Sequence, residues 1–167
     1  TGFKGSWLSI WLRELGANVF GYALVPETTP ALFELAGLEN KITSLIGDVR
    51  DLEHLNQSLK QINPEIIFHL AAQPLVRASY IDPVTTYQTN VIGLVNLLEI
   101  IRQQNSVKAI LVVTSDKCYK NKEWVWGYRE HDALGGHDPY SSSKACAEII
   151  IDSYRNSFFI DRNIHIA

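Results

Sequence analysis

Hydrophobic and polar positions along this chain alternate between two periods, and that alternation predicts its elements. Trp7, Leu8, Ile10, Trp11, Leu12 and Leu15 recur at helical spacing, and Gly16 stands where a helix ends in a left-handed residue. The run 19–25 predicts a strand, Pro26 and Pro30 bracket a turn, and 31–36 predicts a short helix. A second strand is expected over 42–46, ending at Gly47-Asp48, with Asp51 capping a helix that runs to about residue 62. Behind Pro64, Ile66-Ile67-Phe68-His69-Leu70 lacks alternation, as in a strand buried on both faces. Pro83 suits the first turn of a helix over 83–104 whose apolar stripe is Val91, Leu94, Val95, Leu98 and Ile101. Residues 109–113 predict another buried strand, 120–137 an aromatic and charged loop, and 139–157 a helix opened by Pro139. The last residues, 163–167, read as a strand beginning.

Strands and helices alternating at this spacing predict right-handed βαβ units and a parallel sheet covered on both sides. The expected fold class is therefore α/β, a doubly wound parallel sheet of Rossmann type, forming one domain over 1–167. The chain opens inside a glycine-rich turn and stops within a strand. We therefore expect a piece of a longer protein, lacking a first strand and a C-terminal substrate domain. Composition narrows the function classes. A net charge of -3 with no basic stripe argues against nucleic acid as a partner. No apolar run approaches the ~20 residues of a membrane span. Cys118 and Cys146 lie outside any metal-ligand spacing, so no metal is expected and both are read as reduced cysteines of a cytoplasmic protein.

The candidate chemistry sits in two clusters. Tyr140 and Lys144 are four residues apart, on one face of a helix, and an ammonium beside a phenol favours the phenolate, a proton acceptor. Thr114-Ser115-Asp116-Lys117 follows an apolar strand, at the carboxyl end where ligands gather in open α/β sheets. Gly2 and Gly5 precede the first helix, where free amides could cradle a pyrophosphate, although such pairs also serve ordinary turns. Asp48 suits either a hydrogen bond from an adenine or a turn before a helix. Ala71 and Ala72 would let a flat cofactor lie on the backbone, or would allow close packing. Val25 stands where dinucleotide-binding domains often carry a ribose-binding acid; Glu27 is the nearest carboxylate. No arginine stands there for a 2′-phosphate, which favours NAD over NADP. His69 is expected to be a buried core histidine, and Trp124 and Trp126 to anchor the long loop.

Gly2-Phe3-Lys4-Gly5, Gly47-Asp48-Val49, Leu70-Ala71-Ala72, Thr89-Asn90, Thr114-Ser115-Asp116-Lys117 and Tyr140-x-x-x-Lys144 together resemble the extended short-chain dehydrogenase/reductase family, the NAD-dependent epimerases and dehydratases. The likeness spans essentially the whole chain, and its selective words are Ser115-Asp116-Lys117-Cys118-Tyr119 and the tryptophan-rich segment 123–130. The resemblance implies NAD held by Gly2, Phe3, Gly5, Asp48, Val49, Leu70, Ala71, Ala72, Asn90, Thr114, Tyr140 and Lys144. It implies a catalytic set of Ser115, Asp116, Lys117, Tyr140 and Lys144 acting on a nucleotide-linked glucose. Dehydration to a 4-keto-6-deoxy sugar is the expected reaction, with 4-epimerisation or a non-catalytic dinucleotide-binding module as alternatives. A homo-oligomer joined through the helices 83–104 and 139–157 is also implied, while these 167 residues alone are expected to bind NAD poorly.

Overall fold

The computed structural model describes residues 1–167, which form two compact units, Thr1–Ile62 and Asn63–Ala167. In the first unit, α1 (Phe3–Glu14) is followed by β1 (Phe20–Ala23), α2 (Leu32–Leu35), β2 (Thr43–Ile46) and α3 (Leu52–Ile62). Gly16, at φ +84°, closes α1 as expected: its amide donates to Arg13 and that of Ala17 to Leu12, so the last turn leaves few carbonyls open. Asp51 accepts from the His54 amide at 3.0 Å and starts α3. β1 and β2 pair in parallel, Gly21 against Ser44 and Tyr22 against Leu45. Ala31, Phe33, Leu38, Val49, Leu55 and Leu59 form the core of this unit.

The second unit carries β3 (Ile66–His69), β4 (Ala109–Val112) and β5 (His165–Ile166), all parallel, in the order β3-β4-β5. Three short helical segments form one run before β4: α4 (Val76–Ile81), α5 (Pro83–Tyr87) and α6 (Gly93–Arg102), the last two joined by a wider turn over Gln88–Ile92. Pro83 occupies the first turn of α5, and Asp82 caps it by accepting from the Thr85 amide. α6 buries Leu94, Leu97, Leu98, Ile100 and Ile101, each stabilising the unit by roughly 1.5–3 kcal/mol. α7 (Pro139–Tyr154) is capped by Asp138 and packs on α5, on α4 and on the single turn Asp116–Cys118.

Two expectations need correction. Ile66–His69 is not buried along its whole length: Ile66 is 57% exposed, Ile67 and Phe68 are half-buried, and only His69 is buried. Trp126 does not anchor the long loop. The bridge between Tyr119 and Leu134 fixes the stem, and Val125 and Trp126 stand at the tip, 91% and 73% exposed. Trp124, though 39% exposed, packs within the loop against Tyr128 and beneath the Lys122 ammonium.

Candidate functional site

In the first unit the glycine-rich turn becomes the start of α1. Gly2 is the N-cap, extended at φ -70°, and its carbonyl accepts from both the amide and the hydroxyl of Ser6. Nothing lies within 4 Å of where a Cβ would stand on Gly2 or Gly5, and the first turn of α1 holds no acidic side chain. That is open, unrepelled space at the positive end of a 12-residue helix, which suits a pyrophosphate. Phe3, beside it, is exposed, and so is Val25 beyond β1. After β2, Val49 is buried and Asp48 makes a tight turn. One Asp48 oxygen accepts from the Arg50 amide at 2.9 Å; the other accepts from its guanidinium at 2.9 and 2.6 Å. The Arg50 hydrogen bonds outweigh the cost of burial and hold the Asp48 carboxyl below the usual carboxylate range.

In the second unit the chemistry gathers at the carboxyl ends of β3 and β4. Leu70, Ala71 and Ala72 leave β3, and Gln73 behind them is gripped by Asn90. The Asn90 carbonyl oxygen accepts from the Gln73 amide at 2.8 Å, while Nδ2 donates to the Gln73 carbonyl at 3.1 Å and to Ser143 Oγ at 2.9 Å. Ser143 Oγ in turn donates to the Tyr140 carbonyl at 2.7 Å. Asn90 is 3% exposed, so its amide is engaged with the protein on every side. The loop after β3, the wide turn before α6 and the first turn of α7 are thereby one hydrogen-bonded assembly.

β4 ends at Val112, and the chain bends through Val113 and Thr114 into the turn Asp116–Cys118. Ser115 caps that turn: its hydroxyl accepts from the Lys117 amide and donates to Asp116 at 3.0 Å. Asp116 and Lys117 are exposed, while Tyr140 is half-buried in the first turn of α7. Lys144 is buried, and its ammonium donates to the Val113 carbonyl at 3.0 Å. His69, at the end of β3, is also buried. Loss of solvation, and then the charge of Lys144, lower its pKa to about 4, so the ring is neutral at physiological pH. Burial opposes ionisation of Asp138, but hydrogen bonds from Ser141 and the Lys117 ammonium outweigh it and hold its carboxyl below the usual range.

The second unit thus brings together Leu70, Ala71, Ala72, Asn90, Thr114, Ser115, Asp116, Lys117, Tyr140 and Lys144. Gly2, Phe3 and Gly5 share the start of α1 in the first unit, with Asp48 and Val49 behind β2. The sequence reading gave no role to Gln73, Ser143, Asp138 or Glu148. The Asp-Pro pairs at 82–83 and 138–139 do carry a signal for the two helix caps, an acceptor side chain followed by a residue already fixed for the first turn. Ser143 carries none, because its partner lies 53 residues away. No helix is long and apolar enough to cross a membrane, and no cluster of His, Cys, Asp and Glu is arranged to hold a metal ion.

The family profile described as GDP-mannose 4,6 dehydratase matches residues 1–167. CDP-glucose 4,6-dehydratase of Salmonella typhimurium is 58% identical over 98% of the chain and 45% of its own length. The chain spans about half the length of the curated relatives it matches. Among solved structures, UDP-glucose 4-epimerase of Thermotoga maritima superposes with a TM-score of 0.83 at 24% identity, covering 94% of this chain and 49% of that one, a likeness of fold. MoeE5, solved with UDP-glucose and NAD, gives a TM-score of 0.74 at 29% identity over 92% of this chain and 46% of its own.

Proposed function

The chain belongs to the GDP-mannose 4,6 dehydratase family of Rossmann-type α/β proteins, and from that premise we propose that it is the cofactor-binding part of an NAD-dependent hydro-lyase acting on CDP-glucose. The observation that carries the reading is the juxtaposition in the second unit of the Ser115-Asp116-Lys117 turn with α7, which bears Tyr140 and Lys144. The 58% identity to a CDP-glucose dehydratase supports the choice of nucleotide.

The C5 proton of a hexose is too weakly acidic to remove directly, and a ketone at C4 makes it removable because the carbanion becomes an enolate. NAD, when bound, supplies the hydride acceptor that makes this ketone and the donor that later reduces C6. In the first unit Gly2, Phe3 and Gly5 would hold its pyrophosphate, and Asp48 and Val49 are that unit's further candidates for NAD; in the second unit the candidates are Leu70, Ala71, Ala72 and Thr114. Tyr140, with the Lys144 ammonium one helical turn away, takes the C4 hydroxyl proton, and Ser115 hydrogen-bonds that oxygen. Lys117 takes the C5 proton and Asp116 protonates the departing C6 hydroxyl, so water leaves and a 4-keto-5,6-alkene remains. With hydride returned to C6, Lys117 gives its proton back to C5 and the 4-keto-6-deoxy sugar results. Asn90, saturated within the protein, acts by fixing Gln73 and α7. Each proton-transfer group contributes typically about 10²–10⁴-fold to rate.

The same reading extends to assembly and location. Ile81, Val84 and Ile92 on the run α4–α6 and Ile149 on α7 are more than half exposed, an apolar surface that suits a homo-oligomer built through four helices. A nucleotide-sugar substrate and NAD fit a cytoplasmic enzyme supplying deoxysugars for polysaccharide. The complete protein should convert CDP-glucose with NAD to a product with 4-keto absorbance in alkali. Tyr140→Phe should lower turnover by about 10²-fold or more. A wild-type product that is the C4 epimer, without that absorbance, would replace dehydration by epimerisation.

A further inference from the structure

We infer that Glu148 is a positioning residue for the elimination half of this reaction, holding the Ser115-Asp116-Lys117 turn in register with α7 through Thr114. The inference rests on the dehydratase reading, but it concerns a residue outside the proposed catalytic and cofactor-binding sets.

Two side chains of α7, one turn apart, reach the segment that leads from β4 into the turn. Lys144 donates to the backbone carbonyl of Val113, and Glu148 accepts from the hydroxyl of Thr114. Residues four apart share a helix face, so the two bonds form a pair of stitches between α7 and the end of β4. Lys144 fixes the main chain, and Glu148 fixes the next residue, immediately before Ser115. The Glu148 carboxylate also lies near the far side of the turn. Cys118 is buried, and its thiol is pushed up first by loss of solvation and then by the charge of Glu148. A single half-buried carboxylate therefore bonds the near end of the segment that carries Asp116 and Lys117, and its charge is felt at the far end.

Tyr140 and Lys144 ride on α7 and keep their places without Glu148. The turn is tied at its far end by the Gly135 amide on the Cys118 carbonyl, but its near end extends beyond the last paired residue of β4, and its own cap, Ser115, fixes only its internal shape. A shift of about 1 Å in a reacting group can cost on the order of 10²-fold in rate, so the stitch bears directly on the acid and base. Thr114 needs an acceptor and not a charge, which separates the amide variant from the truncation.

The test uses the complete protein with CDP-glucose. Glu148→Ala should lower kcat by about 10- to 100-fold with KM nearly unchanged, whereas Glu148→Gln should stay within about threefold of wild type. At saturating NAD, Thr114→Val should lower kcat to the level of the alanine variant, and the double variant should lose no more kcat than either single one. Reduced nicotinamide should accumulate during turnover by Glu148→Ala, because oxidation at C4 proceeds while loss of water lags. Calorimetric affinity of Glu148→Ala for NAD should match wild type. Unchanged kcat, a loss carried by KM, additive losses or weakened NAD binding would each overturn the assignment. If Glu148→Ala does not fold, Glu148→Leu and Glu148→Gln decide the matter through the same kcat comparison at saturating NAD. A wild-type protein that dehydrates no nucleotide-linked glucose would remove the dehydratase reading itself, whereas an active wild type with a fully active alanine variant removes only the role of Glu148.

Discussion

His69 offers a quantitative test of the burial at the end of β3. Its pKa is lowered from the ordinary histidine value of 6.5 to about 4, first by burial and then by the Lys144 ammonium. Because the folded-state value is depressed, the neutral ring is the stabilising form. Its contribution is complete above the unfolded value and drains away as pH falls toward the folded one. The full shift corresponds to about 3 kcal/mol, of which about 2 kcal/mol should disappear between about pH 7.5 and about pH 5. Carboxylates such as Asp48 and Asp138 also lose their contribution on acidification, so His69 must be isolated by difference. Urea unfolding of wild type and His69→Gln at both pH values supplies that difference. The advantage of wild type over the variant should shrink by about 2 kcal/mol at the lower pH. An advantage independent of pH, or a His69 ring-proton titration with a midpoint at or above about 6, would refute the reasoning.

The remaining predictions concern the assembly around α7. Asn90→Ala leaves the Gln73 amide without its acceptor and takes the amide donor from Ser143, and should cost on the order of 2–4 kcal/mol in chemical denaturation. Removing the cap with Asp138→Ala should cost about 1 kcal/mol by the same measurement. At the exposed tip of the long loop, Trp126→Ala should change stability by no more than about 0.5 kcal/mol.

Local devices were legible in the sequence because their physics is local. Gly16 closes α1 and Asp51 opens α3 through bonds made within five residues, and Pro83 and Pro139 announce helices because their φ is already set. Strand identity was legible from apolar runs, and so was the parallel class, since helices intervene between strands. The burial of a particular strand residue was not: Ile66 and Ile110 look alike in sequence, yet one is 57% exposed and the other 2%. The second cluster of the site was visible as Thr114-Ser115-Asp116-Lys117 and Tyr140-x-x-x-Lys144. What joins its parts was not, because Asn90 to Ser143 and Thr114 to Glu148 span 53 and 34 residues. Trp126 misled because a large apolar ring signals burial only where another surface is near enough to cover it.

The loop before α7 behaves as two structures in one. At its base, Lys120 donates to Ala133 and Gly135 to Cys118, and a Cβ on Gly136 would stand 2.2 Å from that of Ser141, leaving no slack where the chain enters the helix bearing Tyr140. Beyond that base, Val125 and Trp126 at the tip touch little of the protein, so a change confined to them should not reach the helix. Evolution, or an engineer, can thus redesign what this protein meets at that tip while the phenol stays where it is.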